Sequence, residues 1–381
     1  MTTDTEAALK INKGLDGVVE SNSNIGFIDG QKGVLIYCGY NLHDLVPACS
    51  FEEVAYLLFW GVLPKRAELE AFKQQLLPFY AVPKVIYEIL NNAPKHAVPM
   101  AVLRTCISAM AMDDASSDDV SVEAVRQKGM RLLVAASVIT TAFDRIRKGL
   151  PVIEADPQLD LAANFLYMLS GERPSEVFAR ALDVYFILLA EHSFNASTFT
   201  ARCVVSTLSD VYSAITAAIG SLKGPLHGGA NEGAMKMLEE IGSMDHVEAY
   251  LTKAFSEKKK IMGFGHRVYK TDDPRATHLR EMARQMSLEN KPMADWFAMQ
   301  QKIEAIMLKE KNIKPNVDFY SATVLHTLKI DETLFTPLFA LARTTGWTAH
   351  ILEQLSDNRL IRPLANYTGA MNLPVPRIQD R

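Results

Sequence analysis

His227 lies in Gly224-Pro225-Leu226-His227-Gly228-Gly229-Ala230-Asn231-Glu232, where three glycines and a proline surround one imidazole. From Asn231 onward Ala234, Met235, Leu238 and Ile241 recur at helical spacing, so the stretch predicts a tight turn feeding a helix N-terminus. The unpaired N–H groups and positive dipole end of that helix disfavour a protonated ring, which suits a neutral histidine used as a hydrogen-bond donor. An ordinary Gly-rich loop with a solvated histidine fits the same residues. A second histidine, His266, follows Gly263-Phe264-Gly265 and is flanked by Lys258, Lys259, Lys260, Arg267, Lys270 and Arg275. Backbone N–H groups of a Gly-x-Gly turn can point at an anion, so this cluster reads as phosphate recognition. It is not a dinucleotide fingerprint, since no strand precedes it and no third glycine follows.

Asp318 stands between apolar neighbours in Asn316-Val317-Asp318-Phe319-Tyr320-Ser321, at an expected helix start. Desolvation there raises its proton affinity while the helix N-terminus lowers it, leaving a base of useful strength. A plain N-cap ahead of Ala322, Val324 and Leu325 is the alternative. His192, in Glu191-His192-Ser193-Phe194-Asn195, falls where one helix ends and another begins with Ser193 or Asn195 as cap, and fits either a ligand site or a capping cluster. Arg275, Arg343 and Arg362 supply guanidinium forks suited to carboxylates. His326 and His350 occupy ordinary helical positions and receive no role. No His-Glu-x-x-His and no histidine pair three or four residues apart occurs, so no metal site is expected. Nor is there a Gly-x-Ser-x-Gly elbow for Ser-His-Asp hydrolysis.

The elements that must position these groups are nearly all helical. Ile25 to Ile28 and Val34 to Tyr37, either side of Asp29-Gly30-Gln31-Lys32-Gly33, predict a β-hairpin. Ser50 with Glu53 makes a capping box before Val54, Leu57, Leu58 and Trp60, and Gly61 ends that helix. Helical periodicity then marks segments near 67–77, 83–92, 98–112, 121–148, 160–170 and 174–191. Beyond 224 it resumes over 231–260, 276–287 and 293–311, and finally over 336–356. Ala181 to Ala190 is apolar nearly all round except for Asp183, the mark of a helix buried on every side. Small residues from Val211 to Leu222 permit close helix packing, within the chain or between subunits.

With 381 residues the chain is long enough for two domains at ~150 residues each. Its 48% hydrophobic and 22% charged residues exclude disorder on the scale of a domain. A net charge of −4 argues against nucleic-acid binding by bulk electrostatics. Cys38, Cys49, Cys106 and Cys203 are scattered without a C-x-x-C pair, as in a reduced cytoplasmic protein. The acidic start resembles neither a signal nor a transit peptide, and Leu132 to Phe143 is too short for the ~20 residues of a membrane span.

Together, Glu191-His192, the His227 turn, Gly263-Phe264-Gly265-His266-Arg267-Val268-Tyr269-Lys270 through Asp273-Pro274-Arg275, Asn316 to Ser321 and Ile361-Arg362-Pro363 resemble the citrate synthase family in order and spacing, from about Lys13 to Gly369. The resemblance implies an all-α, two-domain fold with a small N-terminal β-hairpin. A large domain (1–222 and 325–381) would be interrupted by a small one (223–324), with the active site in the cleft between them. Length matches the short dimeric form of bacteria and archaea. The implied reaction is that of the tricarboxylic acid cycle, condensation of acetyl-CoA with oxaloacetate and hydrolysis of citryl-CoA. No permanently bound cofactor is implied.

The same resemblance makes Asp318 the base at the acetyl-CoA methyl group, His227 the donor to the enol oxygen and His266 the group that polarises the ketone. His192, Arg275 and Arg343 would hold the oxaloacetate carboxylates, with Arg362 reaching in from the second subunit of a homodimer. Lys260, Ile261, Met262, Gly263, Phe264 and Gly265 would wrap the CoA adenine, and Arg267 would lie near its phosphates. Cys38 stands where the family usually has arginine, outside the residues assigned to chemistry. The related 2-methylcitrate synthases act on propionyl-CoA, and one methylene is worth only ~1–3 kcal/mol in an apolar pocket. Leu226 and His266 to Lys270 look more like the citrate enzymes. A helical scaffold or acyl-CoA-binding regulator without turnover is the reading from another class.

Overall fold

A computed structural model of the chain describes residues 11–228, 230–266 and 268–381, with only the backbone of 230 and 231. Gly229 and Arg267, both members of motifs above, lie outside the described residues. The predicted hairpin forms: β1 (Gly26–Asp29) pairs antiparallel with β2 (Val34–Tyr37), Gly26 facing Tyr37 and Asp29 facing Val34. Asp29 closes the turn by accepting from the backbone N–H groups of Gln31 and Lys32, both at 3.0 Å. A short β3 (Tyr40–Asn41) extends the sheet beyond the two strands expected. Asn41 then accepts from His43 N and caps α1 (Leu42–Ala48).

Helices follow close to the positions that periodicity marks. Both arms of the Ser50/Glu53 box start α2 (Phe51–Trp60), and Gly61 ends it at φ +77°, a conformation that favours glycine. Next come α3 (Arg66–Leu76), α4 (Lys84–Asn92), α5 (Pro99–Ala109), α6 (Val122–Arg147), α7 (Leu161–Ser170), α8 (Glu176–Leu189), α9 (Ala196–Val205) and α10 (Val211–Leu222). Every residue of α8 from Ala181 to Leu189 is buried, as its apolar run requires. Asp183 is tolerated there because it accepts from Phe51 N at 2.8 Å and pairs with Arg180. The small residues of α10 pack within the chain, against α9, α5 and α16.

Past residue 228 the chain forms α11 (Ala230–Ile241), α12 (Val247–Ser256), α13 (Pro274–Glu289), α14 (Lys291–Lys311) and α15 (Val317–Thr327). Three of these, α13, α14 and α15, pack on one another, while α11 covers α15 and α12 lies on α14. Contacts from α13 to α1 and α8 tie this group to the rest. Finally α16 (Phe335–Ser356) passes through the core against α2, α6, α8, α9 and α10. It carries Trp347 and Arg343, the bulkiest fully buried side chains. After α16 the chain runs exposed to the C-terminus, with one 3₁₀ turn at Ile378–Asp380. No helix among the described residues is long and apolar enough to cross a membrane.

Candidate active site

His227 sits on the turn between α10 and α11, held by His227 N to Gly224 O (2.9 Å) and Gly228 N to Leu222 O (3.0 Å). A Cβ on Gly228 would stand 2.5 Å from the Leu222 carbonyl oxygen, so only glycine lets the turn close. The ring Nε2 faces Ser197 N at 3.3 Å and Ser197 Oγ at 2.8 Å. A backbone N–H can only donate, so Nε2 carries the lone pair and the ring proton resides on Nδ1. Ser197 is fixed in turn: its Oγ accepts from Trp347 Nε1 (3.1 Å), and its N–H also reaches the α9 cap Asn195 (3.1 Å). Burial pushes His227 down to about 4, and the Arg343 charge adds to this. Desolvation and the Arg343 charge both favour the neutral ring expected from sequence.

On the loop before α13, His266 Nδ1 accepts from Val268 N (3.0 Å) and Tyr269 N (3.2 Å). Two converging N–H groups make Nδ1 the acceptor, so the proton lies on Nε2, 3.4 Å from Arg275 Nη2. These two nitrogens are both donors, set side by side where one oxygen acceptor can meet both. Burial, then Arg275, lowers His266 to about 4. His192, buried at the turn between α8 and α9, places Nε2 3.2 Å from Tyr269 Oη. Tyr269 also packs its ring on His266, with centroids 4.7 Å apart. Burial holds His192 well below the usual range, with Arg275, Arg343, His266 and His227 acting in the same direction.

Both guanidinium groups near these rings are buried, and they are compensated differently. Asp273 clamps Arg275 through Nε to Oδ1 (3.0 Å) and Nη2 to Oδ2 (2.8 Å), while Oδ2 also accepts from Val317 N at the start of α15. Arg343, on α16, donates from Nε to Leu189 O (2.6 Å), but its buried Nη2 has no hydrogen-bond partner among the described residues. Burial lowers Arg343 to about 10, and Glu191 opposes the shift. An incompletely matched buried cation is a receptor for an anion.

Asp318 is the second residue of α15, and Asn316 is the cap: its Oδ1 accepts from Asp318 N at 3.0 Å. That leaves the Asp318 carboxylate free of the plain capping role, and no hydrogen bond among the described residues engages it. Burial raises it to about 6, against the opposing pull of Arg275. The segment before α15 is stapled to the Gly-x-Gly loop by Gly265 N to Lys314 O (3.0 Å), Asn316 N to Gly263 O (2.9 Å) and Asn316 Nδ2 to Gly265 O (2.8 Å). Gly263 adopts φ +79°, and a Cβ there would lie 2.8 Å from Phe319 Cα. Phe264 packs on Phe319 with centroids 4.6 Å apart. Ile261 and Phe264 are buried and Met262 is half-buried, while Lys260 is exposed.

His227, His192, His266, Arg275 and Arg343 therefore share one electrostatic neighbourhood, to which Asp318 is linked through Arg275. Arg362 is exposed, and no hydrogen bond or ion pair among the described residues involves its side chain. Ser197, Tyr269, Asp273, Asn316 and Trp347 received no role from sequence, although Tyr269, Asp273 and Asn316 stand within the motifs quoted above. Asp273 and Asn316 precede a helix as capping types, and that local signal could have found them. Ser197 and Trp347 carry no such signal. Spacing also predicted no metal site, yet the fold brings ligand atoms of Glu239, His326 and Glu332 within 4.8 Å of one another. Burial and the adjacent Glu239 raise the Glu332 carboxyl to about 7, so these carboxylates can meet by sharing a proton.

The family model described as Citrate synthase, C-terminal domain matches residues 14–364. Citrate synthase 2 of Bacillus subtilis (strain 168) is 50% identical over 370 residues, 97% of this chain and 99% of that protein. The 2-methylcitrate synthase 2 of Corynebacterium glutamicum is 40% identical, covering 97% and 98%. Among solved structures, the ternary complex of carboxymethyl coenzyme A and oxaloacetate with citrate synthase from Thermoplasma acidophilum superposes with a TM-score of 0.91 at 33% identity, covering 98% of this chain and all of that one.

Proposed function

The chain belongs to the citrate synthase family, and from that we infer that its buried histidines and Asp318 join the acetyl group of acetyl-CoA to oxaloacetate and then hydrolyse citryl-CoA to citrate and CoA. The observation that carries the reading is the set of backbone N–H contacts, Ser197 N on His227 Nε2 and Val268 N with Tyr269 N on His266 Nδ1, which leaves His227 Nδ1–H and His266 Nε2–H as the donors. A donor is thus available for each of the two oxygens that gain negative charge, the thioester oxygen and the ketone oxygen. Asp318 takes the methyl proton as His227 holds the enol oxygen. The enol carbon then attacks the ketone carbon, whose oxygen His266 stabilises. Asp318 raised to about 6 is a stronger base than an ordinary carboxylate and is still ionised at neutral pH.

His192, Arg275 and Arg343 hold the oxaloacetate carboxylates, which supply an acceptor for the buried Arg343 Nη2. Lys260 to Gly265 receive the CoA adenine, and the family resemblance assigns Arg267 to its phosphates. The staples between that loop and the start of α15 support a coupling of CoA binding to the position of Asp318. Residues 223–324 form the small domain, and closure on oxaloacetate completes the CoA site and limits wasteful thioester hydrolysis. The enzyme is a cytoplasmic homodimer in which Arg362 completes the partner's site. Four free thiols agree with a reducing compartment, and the exposure of Arg362 agrees with its use by another subunit.

Relatives named 2-methylcitrate synthase at 40–42% identity favour a second reading, propionyl-CoA in place of acetyl-CoA. Release of free CoA thiol from each acyl-CoA, with and without oxaloacetate, decides the matter by kcat/KM. Release that requires oxaloacetate and favours acetyl-CoA is the expected result. Preference for propionyl-CoA selects the second reading, and no release from either would leave a helical acyl-CoA-binding scaffold.

A further inference from the structure

Glu191 is fully buried, immediately before His192. Its carboxylate occupies a slot left by two glycines distant in sequence. A Cβ on Gly26 of β1 would stand 2.5 Å from Oε1, and a Cβ on Gly346, in the middle of α16, would stand 2.5 Å from Oε2. Glycine inside a strand or helix costs stability relative to alanine, and the fold accepts that cost at Gly26 to seat the carboxylate and at Gly346 to seat both the carboxylate and the Ala190 carbonyl oxygen, which lies nearer still to that Cβ. Oε1 accepts from Ser193 N and lies 3.0 Å from His350 Nε2. Ser193 has φ +50°, a left-handed conformation that costs a non-glycine residue roughly 1–2 kcal/mol. The bond from Ser193 N to Glu191 therefore closes a strained turn around the residue between them, which is His192.

We propose that Glu191 is a positioning residue for oxaloacetate: seated between Gly26 and Gly346, its carboxylate holds the Ser193 turn and thereby aims the His192 imidazole. The proposal rests on the reading of His192 as an oxaloacetate ligand. Glu191 also supplies negative charge near Arg343, which donates to the carbonyl oxygen of Leu189 two residues earlier.

Glu191→Ala removes the acceptor and should raise the oxaloacetate KM by about ten- to a hundredfold, the worth of a hydrogen bond to a charged group. The acyl-CoA KM should stay unchanged and kcat should stay within about threefold. Glu191→Gln keeps an acceptor for Ser193 N and should recover most of the loss. In a His192→Ala background Glu191→Ala should add little, because it acts through that ring. Should Glu191→Ala fail to fold, Gly26→Ala displaces the same carboxylate without removing its charge and should raise the same KM. Oxaloacetate affinity by calorimetry, on variants with cooperative melting, separates the possible failures. A parent that binds no oxaloacetate would defeat the functional reading. A parent that binds it while Glu191→Ala and Gly26→Ala bind equally well, or losses that add to those of His192→Ala, would overturn this proposal alone. Equal losses in kcat and in both KM values would assign Glu191 a merely structural role and overturn it too.

Discussion

Asp318 gains its usefulness from a burial that the fold must bear. Its carboxyl is raised to about 6 while the unfolded chain keeps the ordinary 3.8. Because the folded value is the higher one, ionised Asp318 costs stability, a cost absent below about 3.8 and complete above about 6. Asp318→Asn is therefore expected to melt above the parent at pH 8 and level with it at pH 3.5, by calorimetry at both pH values. The same substitution should lower kcat by about 10²–10⁴-fold, the usual worth of a general base. In the parent, kcat/KM for the acyl-CoA should fall on the acid side with an apparent pKa near 6. His227 and His266, lowered to about 4, remain neutral through that limb. A limb below pH 5 would reassign the base.

Among the elements, the junction between the Gly-x-Gly loop and α15 joins the loop proposed to bind CoA to the proposed base. Asn316 caps α15 through Asp318 N and holds the loop through Gly265 O. Asn316→Ala should cost about 1–2 kcal/mol, the loss of a cap, and lower the melting temperature accordingly. It should also raise the acyl-CoA KM and lower kcat together, since one side chain serves both the loop and the base. A change in stability alone, with both kinetic constants intact, would show that loop and base are independent. Asp273 has a parallel role between α13 and α15, clamping Arg275 while accepting from Val317 N.

For the whole molecule, the proposed homodimer places the decisive feature beyond a single chain. Arg362 follows α16 on an exposed stretch, and a two-fold dimer would carry it to the neighbouring site. Arg362→Ala and Asp318→Ala homodimers should each be nearly inactive. After unfolding and refolding together, half of the dimers would be mixed, each with one intact site, so about a quarter of parental activity should return. No recovery, with mixed dimers verified by mass spectrometry, would confine the site to one chain.

Much of this was legible in local sequence, because local rules act over a few residues. The Ser50/Glu53 box, Gly61 and the hairpin around Asp29 to Gly33 involve neighbours along the chain, and the helical periods reflect which face of each segment is buried. The glycines around His227 and His266 likewise declare tight turns wherever the segments lie. Sequence could not supply the partners that those turns meet. Ser197 and Trp347, from α9 and α16, fix the His227 tautomer. Asn316 frees Asp318 from capping, burial raises its pKa, and Gly26 with Gly346 makes room for Glu191. Each of these depends on which distant segments pack together, and so on desolvation and hydrogen-bond direction. Residue types and spacing therefore determined the family and the candidates for its chemistry, while only the tertiary structure decided their protonation states and supporting contacts.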